Sequence, residues 1–239
     1  MDTSSAPPPP YIPSSLPSIP SFSTIRQHVF NVYFLIFEAL VLALFGVLTQ
    51  IHFMFPPGPV IIFTFCLEII LIIAIASMDK TNYLRSYAFL TIGYLMGMQL
   101  GDMVLMAYKL NPYILLVAFL GTVTMFGALS LTAYLVEDGR FLYMGGILSS
   151  SLSLLLVVSI LSLIIGVTDF THIIILFAGL VLFACYVLYD TSLMIEKFTQ
   201  GDIDEIMHAL GLFLDFANIF VRILGLLMQY EQNKNKKKS

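Results

Sequence analysis

Seven long apolar runs, separated by short polar breaks, fill most of the sequence. The runs lie at about Val29–Ile51, Val60–Met78, Tyr87–Ala107, Tyr113–Val136, Phe141–Val167, His172–Glu196 and Ile206–Gln229. Each run is close to the roughly 20 residues that a helix needs to cross the hydrocarbon core of a bilayer. In lipid the backbone must satisfy its own hydrogen bonds. The pattern therefore predicts an all-α polytopic membrane domain over residues 25–230, with six to seven transmembrane helices.

The composition agrees with a membrane protein. The chain is 59% hydrophobic and 11% charged, whereas an ordinary soluble domain has about 25% charged residues. A water-soluble core could not absorb this excess, so the lipid bilayer is the predicted partner. The chain lacks the basic face that nucleic-acid binding needs. Both cysteines lie inside apolar runs, and their spacing with histidine indicates no metal site.

The two ends of the chain make conflicting predictions. Residues 1–24 are rich in proline and serine, which indicates a disordered tail, and residues 231–239 form a basic tail. Lysine and arginine in the loops favour a cytosolic N-terminus, while the lysines of the last tail favour a cytosolic C-terminus. The seventh helix is predicted to be central or re-entrant. If it enters the membrane and returns to the same side, both ends of the chain can face the cytosol. The alternative is seven full crossings.

Two aspartates interrupt the last two apolar runs. Asp190 lies seven residues before Lys197, and Asp215 lies ten residues after Glu205. A carboxylate at the centre of an inserted helix costs roughly 2.5–3.5 kcal/mol. If the runs form a helical hairpin, the carboxylates lie about 10 Å and 15 Å below the same membrane face. The sequence therefore predicts that they face each other and share a proton or a cation.

Further polar residues are predicted to support this pair. His208, Asp215 and Arg222 are spaced by seven on the last run, with Asn218 between the latter two, so they share one helical face. In lipid that face must turn toward protein or water. Three other carboxylates inside apolar runs could face the same cavity: Glu38, Glu68 and Asp102. The alternative interpretation is a buried structural network that fixes helix packing.

The residues around the aspartates resemble a known family. The segment reads VLYDTSLMIEKFTQGDIDEIMHALGLFLDFANIFVRIL, and upstream segments read NPYILLVAFLGT and FLYMGGILSSSLSLL. These motifs resemble the Bax inhibitor family, the TMBIM proteins, and within it the Bax inhibitor branch. The resemblance is strongest over residues 110–229 and weakens toward the N-terminus.

The resemblance implies a pH-sensitive calcium leak channel of the endoplasmic reticulum membrane that suppresses stress-induced apoptosis. It implies no enzymatic activity and no tightly bound cofactor, with calcium as the transported ion and protons as the regulator. Possible protein partners are Bcl-family death regulators and other calcium channels of the endoplasmic reticulum. Lys236 and Lys237, fourth and third from the end, resemble a dilysine retrieval signal. Asp190 and Asp215 would bind calcium transiently, because two carboxylates supply at most four of the six to eight oxygens that calcium prefers.

The chain departs from the family pattern in ways that affect details of the site. The loop before FLYMGGIL contains one basic residue, Arg140, where relatives carry a basic cluster. The second run has no arginine, which some relatives use to hold the aspartate pair, so Arg222 is a possible substitute partner.

Two other functional classes compete with a channel. Paired intramembrane aspartates also serve intramembrane proteases, but Gly211-Leu-Phe-Leu-Asp215 departs from the Gly-x-Gly-Asp motif of those enzymes. A non-conducting scaffold that binds death regulators or calcium channels is the main alternative.

Overall fold

The protein is a bundle of long helices. A computed structural model describes residues 22–136, 139–166 and 168–237, which contain no strand. The helices are α1 (Phe22–Phe53), α2 (Pro57–Ser77), α3 (Leu84–Leu110), α4 (Tyr113–Leu135), α5 (Gly145–Ile165), α6 (Asp169–Thr199) and α7 (Glu205–Lys236). All seven are long and apolar enough to cross a membrane. The predicted all-α membrane fold is therefore confirmed.

Local sequence signals mark where several helices begin. Pro57 opens α2, where its fixed backbone angle suits a first helical turn. The Thr168 side chain caps α6 by accepting a hydrogen bond from the Thr171 amide at 3.3 Å. Asp204 caps α7 by accepting from the Met207 amide at 3.1 Å. This cap satisfies one of the amides that a helix start leaves without an intrahelical partner.

Glycines bring α1 and α3 into close contact. These two helices share the most extensive interface of the bundle. Gly93 lies against the backbone of Ala39, and Gly97 lies against the backbone of Ala43. A methyl group at Gly97 would collide with the Ala43 carbonyl. Small residues at such positions let two helix backbones approach closely in lipid.

Helix α7 occupies the centre of the bundle. It packs against α1, α3, α4 and α6. In its most apolar stretch of 18 residues, half of the residues are buried, a larger share than in any other helix of the described chain. Phe213 and Ile219 on this helix belong to the main apolar core. The central position was one of the two predicted alternatives.

The other alternative, a segment that enters and returns, is wrong for α7. The helix runs without a break from Glu205 to Lys236. Its polar residues are enclosed by neighbouring helices, so they do not require the helix to turn back. At Lys236 it lies beside the start of α6, where Lys236 Nζ is 3.3 Å from Asp169 Oδ2.

The start of α1 and the end of α7 therefore lie at opposite ends of the bundle. If all seven helices cross, the expectation that both termini face the cytosol cannot hold. Helix α1 begins at Phe22 and α7 continues to Lys236, so the helical part extends beyond the expected bounds of 25 and 230. Residues 1–21 of the predicted proline-rich tail lie outside the described residues.

Candidate intramembrane carboxyl site

Asp190 on α6 and Asp215 on α7 form a carboxyl pair inside the bundle. Asp190 lies nine residues before the end of α6, and Asp215 lies ten residues after the start of α7. Their side chains are close enough to interact directly. An ionised carboxylate can only accept hydrogen bonds. A direct hydrogen bond between the two carboxyls would therefore require that one of them carries a proton.

Gly211 makes the approach of Asp190 possible. It lies one helical turn before Asp215, on the same face of α7. A Cβ atom at this position would lie 2.9 Å from Asp190 Oδ2, closer than side chains normally approach. The absence of a side chain at Gly211 thus provides the space in which the Asp190 carboxyl lies against α7.

The surroundings bury Asp215 but leave Asp190 partly exposed. Asp215 is 4% exposed, and its Oδ2 atom has no hydrogen-bond partner among the described residues. Tyr186, one turn before Asp190, lies within electrostatic range of both carboxyls. Ser149 of α5 lies near the Tyr186 hydroxyl, and its own hydroxyl donates to the Gly145 carbonyl at 2.8 Å. Lys197 on α6 is the cation that acts on Asp190.

His208 lies on the same face of α7 but contacts a different partner. Its Nδ1 atom is 3.1 Å from Nε2 of His28 on α1. Phe198 stacks on the His28 ring with centroids 4.2 Å apart. His208, which the sequence placed in the polar network of Asp215, therefore connects α7 to α1 near the end of the bundle.

Arg222 does not pair with an acid, contrary to the expectation that it holds the aspartates. Its Nη1 atom donates to Asn218 Oδ1 at 2.9 Å, and its guanidinium lies 4.5 Å from the centroid of the Phe183 ring. Within the described chain, no carboxylate lies within ion-pair distance of it. An aromatic face and an amide oxygen stabilise this cation instead.

Glu68 and Asp102 belong to a second polar cluster on α1, α2 and α3. Gln99 Nε2 donates to Glu68 Oε1 at 2.8 Å. Gln50 Nε2 donates to Asp102 Oδ2 at 3.1 Å and to the Phe55 carbonyl at 2.8 Å. Each carboxylate thus has an amide donor of its own, and neither is hydrogen-bonded to the aspartate pair.

Glu38 lies near the middle of α1. It lines a cleft of about 350 Å³ together with Arg85 and Asp204. Arg85 Nη2 is 2.6 Å from Asp204 Oδ2, and Arg85 Nε donates to the Ile75 carbonyl at 3.0 Å. Both charged groups are buried, so this ion pair ties α2, α3 and the start of α7 together.

Sequence reasoning missed several residues that shape the site. Arg85 was counted only among the loop charges that indicate orientation. No role in the site was predicted for His28 or Gly211. The spacing of Gly211, four residues before Asp215, could have indicated close approach of a neighbouring side chain. The partners of His28 and Arg85 are more than 100 residues away along the chain, and no local pattern indicates such contacts.

These features define a class of protein: a helical membrane protein with seven long apolar helices in the described chain and two neighbouring carboxyls beside a central helix. The family model described as inhibitor of apoptosis-promoting Bax1 matches residues 25–232. The chain is 30% identical to Bax inhibitor 1 of Drosophila melanogaster over 211 residues, 88% of this chain and 85% of the fly protein. It is 32% identical to the Arabidopsis thaliana protein of that name over 211 residues, 88% of this chain and 84% of the plant protein.

The human protein of the same name is 38% identical over 159 residues, which are 66% of this chain and 65% of the human protein. The chain belongs to the Bax inhibitor family. The family model extends to residue 25, further toward the N-terminus than the region where the motifs are strongest.

Two neighbouring carboxyls are chemically suited to share a proton or to bind a cation. If they share a proton, one hydrogen bond links α6 to α7. If both are ionised, two negative charges face each other beside the central helix. Such a site favours a cation, and the two carboxylates supply at most four of the oxygens that calcium prefers, so other oxygens must complete its shell.

Proposed function

We propose that this protein is a calcium leak channel of the endoplasmic reticulum membrane whose opening depends on protonation of Asp190 and Asp215. The close approach of the two carboxyls beside Gly211 supports the proposal. A titratable contact between α6 and the central helix could open or close a path along α7. The family membership supports a role in suppressing apoptosis.

The closed state is the proton-sharing form. Loss of the proton replaces an attractive contact with repulsion between two unit charges, which at 4 Å and an effective dielectric constant of 20 is of the order of 4 kcal/mol. The carboxylates then separate next to Gly211, where no side chain blocks the space, and both become available to calcium. Calcium flux is therefore expected to rise with pH.

Replacing one carboxylate at a time tests whether the pair controls the pH dependence of calcium flux. In Asp190→Asn and Asp215→Asn the shape is kept, but a shared proton between two carboxyls is no longer possible. Each variant is expected to flatten the pH dependence of calcium flux between about pH 6 and 8, because the pair titrates as one unit. The double variant should add little, since residues that act together are not additive.

The measurement is calcium flux into proteoliposomes at several pH values, with matched amounts of protein. Asp102→Asn is the matched control, because Asp102 is an intramembrane carboxylate outside the pair. A full pH response in both single variants would show that the pair is structural. A parent protein without calcium flux at any pH would favour the non-conducting scaffold that binds death regulators or calcium channels.

Residence in the endoplasmic reticulum rests on the resemblance and on Lys236 and Lys237. A dilysine signal is read in the cytosol. If the last tail is cytosolic and α7 crosses the membrane, the start of α1 faces the lumen. The loop charges favour the opposite orientation. Protease accessibility of terminal tags in intact microsomes distinguishes the two orientations.

A further inference from the structure

Two histidines lie between the carboxyl pair and the end of the bundle where α1 begins. His28 Nε2 and His208 Nδ1 are 3.1 Å apart, so the two rings share one hydrogen bond. His28 is 4% exposed and His208 is 9% exposed. Each ring has a second nitrogen that lies outside this hydrogen bond. We call His28 Nδ1 the outer nitrogen and His208 Nε2 the inner nitrogen.

The outer nitrogen meets a carboxylate that water can reach. His28 Nδ1 lies 3.7 Å from Glu205 Oε1, and the Glu205 side chain is 35% exposed. Asn31 Nδ2 donates to the same Glu205 oxygen at 2.7 Å, which holds the carboxylate in place. Glu205 thus lies between water and His28. The 3.7 Å separation exceeds a hydrogen bond, so proton exchange between Glu205 and His28 requires the two side chains to move closer.

The inner nitrogen points into the protein. His208 Nε2 is fully buried and has no hydrogen-bond partner in the part of the chain that the structure describes, and the same is true of Asp215 Oδ2. His208 precedes Gly211 by three residues, a rise of about 4.5 Å along the helix. Asp190 lies against Gly211. Buried polar atoms of this kind are usually bridged by ordered water.

We propose that Glu205, His28 and His208 form a proton path from the end of the bundle where α1 begins to Asp190 and Asp215. The path rests on the proposed function, because it supplies the proton that closes the channel. A proton from Glu205 binds His28 Nδ1, while His28 Nε2 releases one to His208 Nδ1. His208 Nε2 then releases one, through water, to a carboxylate of the pair. One proton is moved, and both rings end neutral with their tautomers exchanged.

Charged groups of both signs surround the path. The groups that act on His208 are His28 from α1, Lys197 from α6, and Asp202 and Asp204 from the loop before α7. Glu205, Asp202 and Asp204 act on His28. Lys80 pairs with Asp202 and Arg85 pairs with Asp204. Glu205 is therefore the carboxylate near His28 that forms no ion pair with a lysine or arginine of the described chain.

The test separates the rate of the pH response from its extent. In proteoliposomes of known protein orientation, the pH is stepped on one side only and calcium flux is followed by stopped flow. His28→Gln and His208→Gln are expected to slow the response to a step on the side where α1 begins by about tenfold or more. The final flux and the response to a step on the other side should match the parent.

His52→Gln is the matched control, since His52 is an exposed histidine at the other end of α1 and should leave both rates unchanged. Parent-like rates in both path variants would overturn the proposal and leave the histidines as a packing contact. If His208→Gln does not fold by circular dichroism, His28→Gln and Glu205→Gln decide the outcome in the same assay.

A second readout keeps this proposal separate from the proposed function. Infrared spectroscopy follows protonation of the pair after the pH step without calcium, using the band that Asp190→Asn removes. Slow protonation in the histidine variants supports the path even if the parent conducts no calcium. Equal protonation rates overturn the path even if Asp190→Asn and Asp215→Asn flatten the calcium response as expected.

Discussion

Two buried aspartates on the same helix face opposite kinds of partner. Asp204, at the start of α7, is paired with the Arg85 guanidinium at 2.6 Å. Asp215, eleven residues further along, lies beside another carboxyl, Asp190. Both Asp204 and Asp215 are at most 8% exposed. Burial is therefore similar at the two aspartates, and the charge of the neighbouring group is what distinguishes them.

Breaking the Arg85 pair should have the largest effect on stability. Arg85→Leu leaves Asp204 buried without its counter-ion and removes the hydrogen bond to the Ile75 carbonyl. Loss of one partner of a buried ion pair typically costs 3–5 kcal/mol, so we expect a loss of this size. Thermal unfolding in detergent, followed by circular dichroism because the chain has no tryptophan, measures it.

A second substitution sharpens this result. Asp204→Asn in the Arg85→Leu background removes the stranded charge but keeps an oxygen that can cap α7. Part of the lost stability should return. Arg26→Leu, at an exposed arginine on α1, is the control and should change the unfolding temperature little. Equal stability of Arg85→Leu and the parent would contradict a structural role for the ion pair.

Crowding the carboxyl pair should have an intermediate effect. In Gly211→Ala the new methyl group would lie 2.9 Å from Asp190 Oδ2, so the Asp190 carboxyl must move away from Asp215. Overpacking of this kind costs about 1–3 kcal/mol. We also expect a weaker pH dependence of calcium flux, because the shared proton depends on contact between the two carboxyls.

Gly127→Ala on α4 is the matched control, since a Cβ at Gly127 meets no atom within 4 Å. Alanine in place of glycine inside a helix stabilises it by up to about 1 kcal/mol. If Gly211→Ala behaves like Gly127→Ala in both assays, the pair tolerates displacement and the close approach has no functional role.

An exposed pair completes the series with the smallest effect. Lys80 Nζ lies 2.8 Å from Asp202 Oδ1, and both side chains are partly exposed. The hydrogen bond from Lys80 lowers the pKa of Asp202 below its ordinary value. Surface pairs contribute about 0.2–1 kcal/mol, and Lys80→Ala should cost no more than this at neutral pH.

The pH dependence of that effect has a definite sign. Because the pKa of Asp202 is lower in the folded protein, the contribution is present above the unfolded pKa of about 3.9 and is lost as the pH falls through the folded value. The difference in unfolding temperature between the parent and Lys80→Ala should therefore vanish in acid. A difference that persists well below pH 3 would mean that Lys80 stabilises the protein through other contacts.

Sequence reasoning predicted the meeting of Asp190 and Asp215 because two helices joined by a short polar break must run antiparallel. Equal distance from the break then sets equal depth. The partner of Arg222 could not be predicted in this way. An acid seemed necessary, but the Phe183 ring and the Asn218 side chain provide a neutral environment for the cation, and ring contacts between helices leave no periodic pattern.

The course of α7 shows a second limit of prediction from the sequence. Its polar residues indicated a position enclosed by protein, which is correct, but enclosure was equated with re-entry. A straight helix surrounded by α1, α3, α4 and α6 satisfies the same requirement. The polar residues of one segment indicate that it is shielded from lipid. They do not indicate how many neighbouring helices shield it.

The central position of α7 has a consequence for how the protein is made. This helix is synthesised last, and it carries Asp215 and Arg222 near its middle, each of which would cost roughly 2.5–3.5 kcal/mol in lipid. The six earlier helices must therefore already form an open trough when α7 leaves the translocon. A nascent chain halted before Glu205 would leave Asp190 exposed along that trough, available to the quality-control machinery until the last helix fills it.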